Sequence, residues 1–222
     1  MRKYKLNINR HDLWKGCILK SIAHAINVAH YPDFSYESSW DGFNYNIQDG
    51  DGARGTVTFH PEYCIGAFQD LSSERSEFVR DAVSYFQGTS DRMIEIAKSE
   101  TLQYLLVDVD DEMLPLITTA FWIEDQNAYS MDLFEELQEQ GGFLLEIQML
   151  DTASAMEALE EEYEMSNEQL QLLKLVYEKR IQSPEGEIKL SKDEVALIGT
   201  SDIEGLKESK TSFEEMNITW EF

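Results

Sequence analysis

Phe43-Asn44-Tyr45-Asn46-Ile47-Gln48, then Asp49-Gly50-Asp51-Gly52-Ala53-Arg54-Gly55, then Thr56-Val57-Thr58-Phe59-His60 is the stretch on which the fold turns. In its first part aromatic and branched side chains alternate with amides. In its last part Val57 and Phe59 alternate with polar neighbours, the period of a half-buried strand. The glycine-rich segment between them supplies the positive-φ positions that a hairpin loop requires. Residues 64–68 form a third apolar run, so 43–68 reads as an antiparallel meander and the chain as an α+β protein.

Upstream, Tyr4, Leu6 and Ile8 alternate with Lys5 and Asn7 as a first strand. A helix from 12 to 29 is expected after it, with Asp12 as N-cap and Leu13, Trp14, Cys17, Ile18, Ile22, Ala25 and Ile26 on one apolar stripe. Downstream, the pattern predicts helices over 75–87 (Phe78, Val79, Ala82, Tyr85, Phe86) and 92–99, the second capped by Ser90 or Asp91. Residues 102–107 read as a short buried strand. Residues 112–123 carry both signals, since Pro115 suits a first helical turn while Ile117 to Ile123 favour a strand. A helix over 130–140 stops at Gly141 and Gly142, and 143–150 returns to strand pattern. Beyond 153 the signals are mainly helical. Ser166 with Gln169, and Ser191 with Glu194, are capping boxes, and Ile218, Trp220 and Phe222 suggest a last edge strand. The expected organisation is a mixed domain over 1–150 with a mainly helical subdomain over 151–222 packed on it.

With 222 residues, 42% of them hydrophobic, the chain is long enough for a substantial core and has neither a disordered nor a disulfide-scaffold composition. Its charge is unusual. There are 43 acidic and 18 basic residues, a net of −25. Residues 1–30 hold six Lys/Arg against Asp12 alone, whereas residues 101–173 hold 18 acidic residues and no basic one. A field of that sign speeds encounter with cationic partners and disfavours sequence-independent binding to nucleic acid. No apolar run approaches the length of a membrane span, and the basic start alternates like a strand where a signal peptide has a continuous apolar segment. Cys17 and Cys64 fall in apolar contexts that suit a reducing, cytoplasmic setting.

The chemical motifs are mostly absent. Asp49-Gly50-Asp51-Gly52 lacks the later ligands of a calcium loop, because Ala53 and Arg54 follow. The four histidines have no metal spacing, and there is no nucleophile elbow, phosphate loop or dinucleotide fingerprint, so no cofactor is expected. Asp108, Asp110, Asp111 and Glu112 follow a predicted strand without a basic neighbour, and Glu124 and Asp125 extend the acidic run. Trp40 and Tyr45 lie in the densest block of aromatic and amide residues, a composition that receives small ligands or protein loops. The leading expectation is an acidic binding protein without its own chemistry. It would be of the inhibitor or immunity kind, neutralising a basic protein such as a toxin nuclease through Asp108, Asp110, Asp111, Glu112, Glu124 and Asp125, with Trp40 and Tyr45 as further partner contacts. A metal-assisted hydrolase built on Asp108 to Glu112 is the second reading. The third is a regulatory module that docks through a stripe of Leu170, Leu173, Val176 and Tyr177.

Overall fold

The computed structural model describes residues 2–77 and 81–221. In chain order the regular elements are β1 (Tyr4–Leu6), α1 (Arg10–Val28), β2 (Ser38–Asp41), β3 (Asn44–Gln48), β4 (Ala53–Thr58), β5 (Cys64–Asp70), α2 (Asp91–Ser99), β6 (Leu106–Val109) and β7 (Glu112–Pro115). They continue with β8 (Thr119–Glu124), β9 (Asn127–Ser130), α3 (Phe134–Glu139), α4 (Thr152–Glu162), α5 (Asn167–Gln182), β10 (Ile188–Leu190), α6 (Lys192–Ala196), α7 (Ile203–Glu215) and β11 (Ile218–Trp220). The fold is α+β. Contacts divide the chain into two units: the segment ending at Asp12 with Phe43–Glu146, and Leu13–Gly42 with Ile147–Phe222. The division is thus discontinuous, where the sequence suggests a single boundary near 150.

The first unit holds six strands of an antiparallel sheet in the order β1-β9-β8-β5-β4-β3. Its meander is the one read from 43–68, with Tyr45 opposite Val57 and Thr56 opposite Ala67. Every residue of β5 is buried, so both faces of the central strand are covered. Ile65, Ala67, Ala120 and Trp122 face a cluster made by the chain between β5 and β8, including Phe86, Met93, Ile96 and Leu105. On the other face the rings of Phe68 and Phe121 stack with centroids 6.1 Å apart. They do so because glycine stands directly across the ladder from each: a Cβ on Gly55 would meet Phe68 at 2.3 Å and one on Gly66 would meet Phe121 at 2.2 Å.

In the second unit α1 supplies Ile18, Leu19, Ile22 and Ile26 to a core completed by Leu159, Leu172, Leu173, Val176 and Phe213. Its cap lies earlier than expected. Asn9 Oδ1 accepts from the backbone N–H of His11 at 2.8 Å and of Asp12 at 3.1 Å, so the helix starts at Arg10. Both predicted capping boxes form, at Ser166 with Gln169 and at Ser191 with Glu194. Ile218–Trp220 is a strand, parallel to β10; Phe222 lies outside the described residues.

Five expectations change or resolve. Residues 75–87 form two 3-10 turns, Glu74–Glu77 and Ala82–Phe86, and Phe78 and Val79 lie outside the described residues. The predicted strand over 102–107 is a 3-10 turn, Thr101–Leu105, which leads into β6. Residues 112–123 resolve as β7 and β8, because Pro115 ends an edge strand where its missing N–H costs no ladder bond. Residues 143–150 are 3-10 turns, Gly142–Leu145 and Ile147–Met149, with buried Leu145 and Gln148 at a spacing of three. The helix expected over 130–140 shortens to α3, since β9 extends through Ser130.

Candidate interaction surface

The predicted carboxylates sit on the tips of two hairpins, for a backbone reason. In β6–β7 the two turn residues Asp110 and Asp111 have φ of 54° and 67°, and in β8–β9 Asp125 and Gln126 have 47° and 66°. Two positive-φ residues make a two-residue turn whose twist matches the strands it joins, and aspartate is among the few side chains that tolerate this geometry. Asp108 Oδ1 accepts from Asp111 N–H at 3.1 Å and closes the first turn. Asp108, Asp110, Asp111, Glu112 and Asp125 are exposed, and Glu124 is half-buried.

Strand register separates the two tips. Ile123 lies opposite Cys64 and Thr119 opposite Phe68, so the turn at Asp125 extends past the Cys64 end of β5. The base of the β6–β7 hairpin is tied to the other end. There Arg54 donates to the Leu106 carbonyl at 2.9 Å and Gln69 to the Leu116 carbonyl at 3.2 Å. The two bases therefore stand about 20 Å apart along β5. Asp108 to Glu112 form one group, and Glu124 and Asp125 do not join it.

Other carboxylates lie at the Asp70 end, where the base of that hairpin is tied. The β3–β4 turn carries Asp49 and Asp51, and its Gly52 carbonyl accepts from Leu71 N–H at 3.1 Å. That bond holds the next loop, with exposed Glu74 and Glu77, beside the turn. Gly141, just past α3, abuts Phe68, which brings Glu136 and Glu139 to the same end. The described cations there are already engaged. Arg54 Nε donates to Gln69 Oε1 at 2.6 Å, and Arg75 donates to buried Asp132 at 2.8 Å and to the Thr118 carbonyl at 3.0 Å. Burial opposes the Arg75 charge, but the bond and charge of Asp132 outweigh it and raise the pKa. Among the described residues, only Asp132 (with Arg75) and Glu162 (with Lys20) of the 18 carboxylates in 101–173 are in ion pairs. Asp49, Asp51, Glu74 and Glu77 were legible at this end only through the meander, which sets the β3–β4 turn beside the end of β5.

Trp40 and Tyr45 belong to different units. Tyr45 is fully buried and is a core residue of the first. Trp40, half-buried in the second, donates its indole N–H to Ser21 Oγ at 2.8 Å and its backbone N–H to Glu215 at 2.9 Å. The amides around Tyr45 are internally satisfied: Thr58 Oγ1 donates to Asn44 at 2.6 Å, Thr56 Oγ1 to Asn46 at 2.8 Å, and Asn44 to Glu100 at 3.1 Å. On α5, Leu173, Val176 and Tyr177 are buried and Leu170 is half-buried, so the stripe proposed for docking packs inside its own unit. Among the described residues no three His, Cys, Asp or Glu side chains converge as metal ligands, and no helix is long and apolar enough to cross a membrane. Comparison of the chain with protein-family models, curated proteins and solved structures returns no match.

Proposed function

We propose that the protein binds a basic protein, as an inhibitor or immunity protein does, through the carboxylates at the Asp70 end of the first unit's sheet. One observation carries this reading: strand register and the bonds at the end of β5 set Asp49, Asp51, Glu74, Glu77 and the base of the hairpin that carries Asp108–Glu112 at one end, where Arg75 is already paired with Asp132. Such a field raises the association rate with a cationic protein and makes that rate fall with salt. Of the two arginines at this end, Arg75 is matched by Asp132, whereas Arg54 bonds to neutral oxygens and its charge subtracts from the excess of carboxylates. The metal-assisted hydrolase reading has no such support, because among the described residues no three His, Cys, Asp or Glu side chains converge as metal ligands.

The test compares two baits in native lysate, the wild type and the variant Asp108→Asn/Asp110→Asn/Asp111→Asn/Glu112→Gln. Asparagine keeps the positive-φ turn while removing charge. Wild type retains a cationic protein, the variant loses it, and association with the purified partner slows as salt rises. Retention of the same proteins by both baits, or a rate indifferent to salt, refutes the proposal.

A further inference from the structure

A second surface, in the other unit, has a different chemistry. After α1 the chain makes the 3-10 turn Pro32–Glu37, and Tyr31, Phe34 and Tyr36 are exposed at 55%, 44% and 54%. Tyr31 and Phe34, two aromatic side chains this open within four residues, are not demanded by the fold. Neither belongs to the hydrophobic core of the second unit among the described residues. The turn is nevertheless well held. Pro32 presets its first turn, Tyr31 N–H donates to the Asn27 carbonyl at 3.1 Å, Phe34 N–H donates to the Tyr31 carbonyl at 3.1 Å, and α7 packs against it. The rings of Tyr31 and Phe34 stand 6.5 Å apart at 56°. A preformed aromatic pair on a rigid turn has the character of an interface anchor: large contact area and little ordering cost on binding.

Charge selects the occupant. From Ser21 to Ala53 the sequence contains no lysine or arginine, and exposed Asp33 falls between Tyr31 and Phe34 in sequence, while Glu37 at the end of the turn meets the Lys20 charge. Asp41 ends the strand that follows, and Glu215 of α7 accepts from Trp40 of that strand. An anionic aromatic surface suits the guanidinium group, which is planar, weakly hydrated, stacks on rings and pairs with carboxylates; ammonium stays hydrated and does this less well. We propose that the turn Pro32–Glu37, with Tyr31 before it, is a docking surface for an arginine-bearing segment of a basic protein, whose guanidinium groups stack on Tyr31 and Phe34 beside Asp33. This deepens the reading of a cationic partner and rests on it, but it uses different residues in a different unit.

The experiment titrates the isotope-labelled full chain, at about 0.15 M salt where long-range attraction is screened, with a short peptide alternating arginine and glycine, and with the same peptide carrying lysine. Amide resonances of Tyr31 and of 33–37 shift on addition of the arginine peptide, which binds several-fold more tightly than the lysine peptide. Tyr31→Ser/Phe34→Ser weakens binding by about 10-fold or more, whereas Asp108→Asn/Asp110→Asn/Asp111→Asn/Glu112→Gln changes it by no more than about two-fold. Tyr31→Leu/Phe34→Leu keeps the apolar bulk should the serine variant unfold, and it abolishes the preference for arginine. If the hairpin variant loses the peptide and the ring variants keep it, this surface is refuted while the acidic sheet end stands. Absence of binding to the wild type, or shifts away from 31–37, also overturns it.

Discussion

Acid should weaken the second unit through one histidine. His24 lies in α1 at 1% exposure, with Nδ1 3.4 Å from the Tyr163 hydroxyl. Lys20, one turn earlier, is also buried; it pairs with Glu162 and holds its ammonium 4.6 Å above the Tyr163 ring. Burial, and then the Lys20 charge, push the His24 pKa from 6.5 down to about 4, although the Ser35 backbone works in the opposite direction. The folded protein therefore keeps a neutral imidazole where the unfolded chain takes up a proton. Between about 6.5 and 4 the unfolded state binds more protons, so stability falls as pH falls. Each pKa unit corresponds to about 1.4 kcal/mol, and the His24 contribution is about 3 kcal/mol, complete above 6.5 and lost near 4. Because protonation of the many carboxylates relieves self-repulsion over the same range with the opposite sign, the measurement must be a difference. Urea unfolding of wild type and His24→Gln at several pH values, read by near-UV circular dichroism, isolates it. The wild type is expected to lose about 3 kcal/mol relative to the variant between pH 7 and 4. Stability curves that stay parallel over that range would refute a buried neutral His24.

Two further outcomes are expected. Arg180, 2% exposed, donates to five carbonyls, those of Ser183, Pro184, Gly186, Met216 and Asn217, and no carboxylate pairs with it among the described residues. Arg180→Met leaves those acceptors short of donors and costs about 3–5 kcal/mol, and Arg180→Lys recovers only part because ammonium lacks the fork; chemical denaturation measures both, and a loss below about 1 kcal/mol contradicts the role. On the β6–β7 tip, Asp110→Asn/Asp111→Gly installs the residues that this turn prefers, raising stability by about 0.5–1 kcal/mol while slowing association with the cationic protein proposed as partner. A variant that is more stable and associates as fast as wild type would argue that the two aspartates serve the turn alone.

The legible parts of this chain are the local ones. Alternation over 43–68, the capping boxes at Ser166 and Ser191 and the apolar stripe of α1 are governed by neighbours within a few residues, and each appears where its pattern places it. Residues 143–150 show the limit. Their apolar content suits a strand, but they follow the positive-φ Gly141 and adopt turns with inward residues three apart. Asp12 is similar: it is a good cap residue, overtaken by Asn9, whose side chain reaches two backbone N–H groups.

By itself, the amino-acid order determined the α+β class, the meander, the main helices and the excess of negative charge, because side-chain periodicity and helix caps act over short distances. Pairing across long separations decided the rest. It sent Asp125 to one end of β5 and the base of the Asp108–Glu112 hairpin to the other, enclosed Tyr45, engaged Arg54 and Arg75 internally, and left Tyr31 and Phe34 open to solvent. Which charges neutralise one another depends on register, and register is set by the burial of whole faces.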